Sequence, residues 1–326
     1  MSTRHFCTYF DHRYLPRAIV MLESLRAQAP NARVHVLCLS DECLEAMRRL
    51  AYPFVSLIAL KDLEAADSEL LACRPTRSIV EYYFTLTPCL PWHLLNKNED
   101  IGEITYLDAD MMFFSSPESI FEEAGGADVI ITPHRFSSHL THLVKYGIYN
   151  VSWLSFRNTT PGLKALKWYR QSCIEWCFDR LEGDRFADQR YLDVFPSKFE
   201  NVHIMRHPGG GVAPWNLADA DIGLTAGRVT AGGRPLVFYH AHNFKKIWGP
   251  FFSSGLEEYS TRLDKNMIEY IFNPYGRALK KNTGRARGLV GDNSMNSLRN
   301  HASQSFSTRR RAVRKAYKNK TLVFIW

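Results

Sequence analysis

The chain has 326 residues, 45% hydrophobic and 23% charged, proportions ordinary for a soluble globular protein of one large domain or two small ones. No apolar run approaches the roughly 20 residues of a membrane helix, and the opening MSTRHFCTYFDHRYL lacks an apolar signal-peptide core, so a cytoplasmic protein is expected. The net charge of +8 is uneven: from Arg277 onward 13 Lys and Arg face one acid, Asp292, leaving 28 basic and 32 acidic residues before them.

In chain order, RHFCTYF (4–10) reads as a strand, and YLPRAIVMLESLRAQAP (14–30) as a helix with apolar Ile19, Leu22 and Leu25, ended before Pro30. RVHVLCLS (33–40) is a second strand, DECLEAMRRLA (41–51) a helix opened by acids, and FVSLIAL (54–60) a third strand. RSIVEYYFTLTPCLPWHLL (77–95) reads as helical and leads into the strand-like EITYLDAD (103–110); DVIITPHR (128–135) and NVSWLSFR (150–157) follow as strands. This alternation predicts an α/β fold, a mainly parallel sheet with helices on both faces and ligands at the carboxyl ends of its strands. The seven cysteines form no CxxC pair and sit mostly in apolar runs, so they read as buried free thiols. Past residue 275 the composition turns to Gly, Ser, Asn and Arg, which places a boundary there between a body, 1–275, and a basic tail, 276–326.

Asp108 and Asp110 close the apolar run EITYL, where a lone carboxylate is costly unless it is protonated, paired or bound to a metal. A second Asp-Ala-Asp, Asp219 to Asp221, follows the turn-like APWNLA and reads as a solvated loop or helix cap. LVFYHAHNFKKIW (236–248) offers His240 and His242 as nitrogen ligands; two carboxylates and an imidazole suit Mn²⁺ or Mg²⁺ bound together with a diphosphate.

These residues resemble the retaining GT-A glycosyltransferases typified by glycogenin and the bacterial lipooligosaccharide galactosyltransferases. In that family an Asp-x-Asp and a late histidine hold Mn²⁺, with lysine and tryptophan six and eight residues after the histidine; His240, Lys246 and Trp248 reproduce the spacing. Ile247 replaces the family's proline between the two, and its glycine after the histidine is replaced around Asn243. The spacing selects His240 over His242 as the ligand, although strand alternation puts both on one side. The resemblance runs over residues 5 to 250 in ordered segments. CTYFDHRYLPRAIVMLESL implies donor-base contacts from Thr8, Tyr9 and Asp11; RPTRSIVEYYFTLTPCLP implies that Arg77 reaches the diphosphate. YNVSWLSFR matches an Asn-x-Gly strand, with Asn150 and with Ser152 in the glycine's place, and RFADQRYLDVF puts Asp188 and Gln189 at the donor sugar and anomeric carbon.

The resemblance therefore implies a GT-A transferase of a nucleotide-sugar, a UDP-sugar, onto a glycan or lipid-linked hydroxyl acceptor with retention, in bacterial surface-glycan synthesis. Lys246 and Arg77 would assist the metal at the diphosphate. An inverting enzyme would need Asp188 or Asp193 as base. A sugar nucleotidyltransferase needs a Gly-rich phosphate loop, and TYFDHRYLPRA has no glycine. The acidic body argues against nucleic acid as a partner. His12, His134, His139 and His142 read as structural or surface residues. The tail, with the cluster RRRAVRKAYKNK and the apolar end Phe324 to Trp326, suits either a solvated segment docked at its end or peripheral attachment to anionic lipid on the inner membrane face.

Overall fold

The protein was analysed as a computed structural model that describes residues 3–291 and 306–325; Asp292 and Trp326, which the reading of the tail includes, lie outside the described residues. The expected alternation is present. Strands β1 (Arg4–Phe10), β2 (Ala32–Cys38), β3 (Val55–Ala59) and β4 (Glu103–Leu107) are parallel neighbours in the order β3-β2-β1-β4. After the short β5 (Met111–Phe113) come β6 (Val129–Pro133), β7 (Tyr149–Arg157) and β8 (Val202–Ile204). β7 lies antiparallel between β4 and β6, and β8 closes the edge parallel to β6, so among the described residues the central sheet has seven strands.

Local chemistry sets the helix ends. Ser40 accepts from Cys43 N to cap helix Asp41–Leu50, which carries Asp41 and Glu42 in its first turn and Arg48 and Arg49 in its last, matching the helix dipole. Helix Ile79–Lys97 opens with a reciprocal capping box between Ser78 and Glu81.

Beyond the sheet, β9 (Ile222–Thr225), β10 (Arg228–Ala231) and β11 (Arg234–Pro235) form a small antiparallel sheet, and β12 (Phe238–His240) pairs antiparallel with β5. The segment 236–248 divides: the chain turns after His240, then resumes as β13 (Lys245–Trp248) against β14 (Phe251–Ser253). Asn243, in the left-handed region at φ 58°, makes that turn. Trp153 of β7, fully buried, stacks on Phe238 at 5.6 Å and meets Phe6, Phe113 and Phe121, tying β12 to the main sheet. All seven cysteines are buried free thiols.

The boundary expected near residue 275 falls inside helix Asn273–Val290. Tyr275, Leu279 and Ala286 form a buried face in a segment otherwise rich in Arg and Lys, and the helix packs on helix Leu15–Gln28, with Arg285 2.6 Å from Glu23. The chain's end returns as well: β15 (Leu322–Phe324) pairs with β14, and Ile325 lies over Gly276, where a Cβ would stand 2.5 Å from Ile325 Cδ1. Composition concealed this because a few small and apolar residues on one face suffice to dock a helix.

Trp153→Ala should lower unfolding stability by about 3–5 kcal/mol in urea titrations. Tyr317→Ala, at a position 74% exposed, should change it by less than about 0.5 kcal/mol.

Candidate functional site

Asp108 and Asp110 stand just past the carboxyl end of β4, where a doubly covered sheet presents its ligands. Backbone bonds hold them in place: Asp108 N donates to Ser152 O (3.2 Å), and Asp110 O accepts from Ala241 N (2.9 Å). The β5–β12 ladder sets His240 opposite Met111, one residue beyond Asp110. His240 Nε2 thereby lies 3.0 Å from Asp110 Oδ1 and 3.6 Å from Asp108 Oδ2. Asp110, His240 and His242 each bring a ligand atom within 4.8 Å of the others, the one such grouping among the described residues. His242 joins His240 in the cluster, so the two histidines that spacing set against each other both face Asp110.

The acids and imidazoles fix one another's charge. Burial holds the Asp108 carboxyl above its usual range, with His240 pulling it down and Asp110 pushing it up. Burial also pushes Asp110 upward, but the charge and hydrogen bond of His240, then His242 and Arg17, outweigh it and keep that carboxyl well below the usual range. His240 is penalised by burial yet raised by Asp110 and Asp108, whereas His242 is lowered, first by burial and then by His240. The residues suit a divalent ion: 3.0 Å between Nε2 and Oδ1 is the separation of neighbouring ligands on one ion, each bonded at about 2.1–2.2 Å. Mixed carboxylate and imidazole donors suit a divalent cation.

Trp215 braces the histidines. Its ring meets His240 edge-on at 5.4 Å and His242 at 5.8 Å, and touches Tyr259 and His134 on its other sides. Asn216, buried, fixes the turn that carries it by accepting from Ala213 N and donating to His134 O and Gly211 O. Burial takes His134 down to about 3, so this imidazole is neutral. Gly255 (φ 82°) lets its segment approach the His242 backbone; a Cβ there would stand 2.7 Å from His242 O.

The other sequence candidates divide. Asp188 is buried at the start of the 3₁₀ turn Gln189–Val194, with Oδ2 lacking a partner, and burial pushes its carboxyl up to about 7, helped by Asp108. Gln189 donates to Tyr146 O (3.0 Å). Thr8 is buried on β1 with its hydroxyl unpartnered, and Tyr9 Oη lies 3.0 Å from Thr87 Oγ1. Asp11 Oδ1 accepts from Arg13 N and Tyr14 N, a turn ahead of the first helix. Asn150 and Ser152 bond one another, Oγ to Oδ1 at 2.5 Å. Arg77 lies over Phe178 at 4.1 Å and donates to Ile174 O. Lys246 stands exposed on β13, opposite Phe252. Asp193 Oδ1 holds Ile148 N at 2.8 Å. Asp219 and Asp221 are exposed in a turn, as their context predicted. Arg17, Trp215, Tyr259 and Thr87 were not singled out by the sequence; only tertiary contact brings them to the site.

No family model matches the chain. It is 31% identical to the uncharacterized protein YfnD of Bacillus subtilis (strain 168) over 284 residues, 86% of this chain and 90% of YfnD. It is 28% identical to YfnF of the same organism over 253 residues, 75% of this chain and 83% of YfnF. Among solved structures it resembles the galactosyltransferase LgtC, solved with donor and acceptor sugar analogs: TM-score 0.56, 15% identity, 87% of this chain and 99% of LgtC. It also resembles the glycosyltransferase GlyE of Streptococcus pneumoniae TIGR4, with TM-score 0.50 and 15% identity over 88% of this chain and 64% of GlyE.

Gly255→Ala should displace His242 and weaken Mn²⁺ binding about tenfold, read by electron paramagnetic resonance, with the circular dichroism spectrum retained. An unchanged Mn²⁺ affinity would show that His242 is not held against the ion by this contact.

Proposed function

We propose that this chain, which belongs to the family of Bacillus subtilis YfnD and has the GT-A glycosyltransferase fold, moves a sugar from a nucleoside-diphosphate sugar to a hydroxyl acceptor with the aid of a divalent ion. The observation that carries the reading is the partly buried grouping of Asp110, His240 and His242, with Asp108 3.6 Å from His240, at the carboxyl end of the sheet. Mn²⁺ is the ion, and UDP the nucleotide, that the motifs imply. When bound there, the ion would offset the negative charge that gathers on the departing diphosphate.

The chain's own residues supply the remainder. Asp108 and Asp110 are pre-aimed by backbone bonds to Ser152 and Ala241, so they need no reordering when the donor arrives. Arg17, which reaches Asp110 electrostatically and donates to Phe244 O, keeps a fixed cation beside the diphosphate's place. Thr8 and Tyr9 sit where the base loop begins. Asp188 and Gln189 orient donor hydroxyls, Gln189 being steadied by Tyr146 O. Retention is supported because Asp193, one candidate base for inversion, already holds Ile148 N and faces Arg190. Lys246 and Arg77 would assist the ion at the diphosphate.

The acceptor in this reading is a glycan or lipid-linked sugar of a bacterial surface polymer. Among the described residues no helix is long and apolar enough to cross a membrane. Helix Phe306–Lys318 instead exposes Arg310, Arg311, Arg314, Lys318 and Tyr317, an arrangement that would hold the body against anionic lipid.

Asp110→Ala should lower Mn²⁺-dependent turnover of the nucleotide-sugar by at least about a hundredfold with normal folding, and EDTA should abolish wild-type turnover. Asp219→Ala should leave turnover within about twofold. Equal loss in the two variants would contradict the site. Replacing Arg310, Arg311 and Arg314 together by Glu should abolish sedimentation with anionic vesicles at low salt while leaving UDP affinity unchanged; undiminished sedimentation would remove the lipid role.

A further inference from the structure

A phenol meets one of the paired acids directly. Tyr106 Oη donates to Asp108 Oδ1 at 2.9 Å, while the other carboxyl oxygen, Oδ2, is the one that lies 3.6 Å from His240 Nε2. The contact follows from the strand, because residues two apart along it share a face: Tyr106 stands in β4 and Asp108 just beyond its end. Asp108 is thus held twice, by its backbone N–H at Ser152 O (3.2 Å) and by one carboxyl oxygen at the phenol. Its side chain is 22% exposed and can be reached from the site, whereas Tyr106 is 2% exposed.

The phenol is backed in its turn. The rings of Tyr106 and Tyr9 lie 5.4 Å apart, and Tyr9 Oη is 3.0 Å from Thr87 Oγ1. A threonine inside a helix ordinarily returns its hydroxyl to the carbonyl four residues back. Thr85 does this with Glu81 O (2.9 Å), whereas Thr87, buried in the same helix, turns to Tyr9 instead. The aromatic pair is therefore anchored at both hydroxyls, one on the helix and the other on Asp108.

An ionised carboxylate only accepts, so the bond to Oδ1 is the phenol's to give. A carboxylate chelates an ion when both its oxygens can turn to it; a fixed donor on one oxygen leaves the other as a single point of attachment. We propose that Tyr106 is a positioning residue that makes Asp108 a one-oxygen ligand and so tunes the site to Mn²⁺ or Mg²⁺ against Ca²⁺. This rests on the reading of the acids and histidines as the ion's site. Ca²⁺ takes about 6–8 ligands in flexible geometry and accepts chelating carboxylates, whereas Mg²⁺ demands a near-octahedral shell. Hydrogen-bond partners of an ion's ligands commonly change its affinity by about 10–100-fold.

The test measures ion binding by the full-length protein without nucleotide: Mn²⁺ affinity from the electron paramagnetic resonance of the free ion, and Ca²⁺ affinity from its displacement of Mn²⁺. Tyr106→Phe, which removes one oxygen and keeps the ring, should weaken Mn²⁺ about tenfold or more and change Ca²⁺ by less than about twofold. The preference for Mn²⁺ then falls about tenfold. In Asp108→Ala there is no carboxylate left to hold, so adding Tyr106→Phe should cost less than about twofold further in Mn²⁺ affinity. Undiminished Mn²⁺ affinity in Tyr106→Phe, parallel losses of Mn²⁺ and Ca²⁺, a full further loss in the Asp108→Ala background, or no Mn²⁺ binding by the wild type would overturn the proposal. Because these measurements need no turnover, a protein that binds Mn²⁺ as expected but moves no sugar would refute the proposed reaction and still decide the role of Tyr106.

Discussion

The organisation of this protein follows from one electrostatic demand: two carboxylates, Asp108 and Asp110, sit one residue apart at the end of a buried strand, where hydration cannot pay for their charge. Positive charge must be brought to them. The fold brings it from far along the chain, since β12 returns 130 residues after Asp110 to pair with β5 and set His240 Nε2 3.0 Å from Asp110. Two imidazoles, one raised by the acids and the other lowered by burial and its neighbour, form a set that a divalent ion and a diphosphate can share.

Packing makes this arrangement durable. Trp153 stacks on Phe238 and locks the histidine strand to the sheet, while Trp215, fixed by Asn216, fills the space behind both imidazoles. Apolar contacts thus set the positions of the polar groups. The C-terminal segment adds to the same body: helix Asn273–Val290 covers the first helix, and β15 completes the small sheet that contains Lys246. On its outer side Arg310, Arg311 and Arg314 are exposed.

Much of this was legible in the sequence, for physical reasons. Buried parallel strands must be apolar along their length, so RHFCTYF, RVHVLCLS and EITYL declare themselves. Two acids closing such a run are conspicuous, and the context of Asp219 and Asp221 marks them as solvated. What the sequence left unresolved depends on contacts between distant segments. Arg17 reaches Asp110 only because the first helix folds over that strand end, and Thr87 differs from Thr85 only through Tyr9. Arg77 is held by Phe178, a partner about 100 positions away that no local pattern announces. The tail misleads by composition, because its many cations outnumber the few small and apolar residues that dock it.

The central claim is that the paired acids and the late histidines hold one ion together with a nucleoside diphosphate. Anomalous diffraction at the manganese edge from crystals soaked with Mn²⁺ and UDP tests it most directly. The account predicts a single strong peak bonded to Asp110 and His240, within reach of Asp108 and His242, and bridged to the diphosphate. UDP bound with no ion between it and these residues, or an ion held elsewhere, would contradict it.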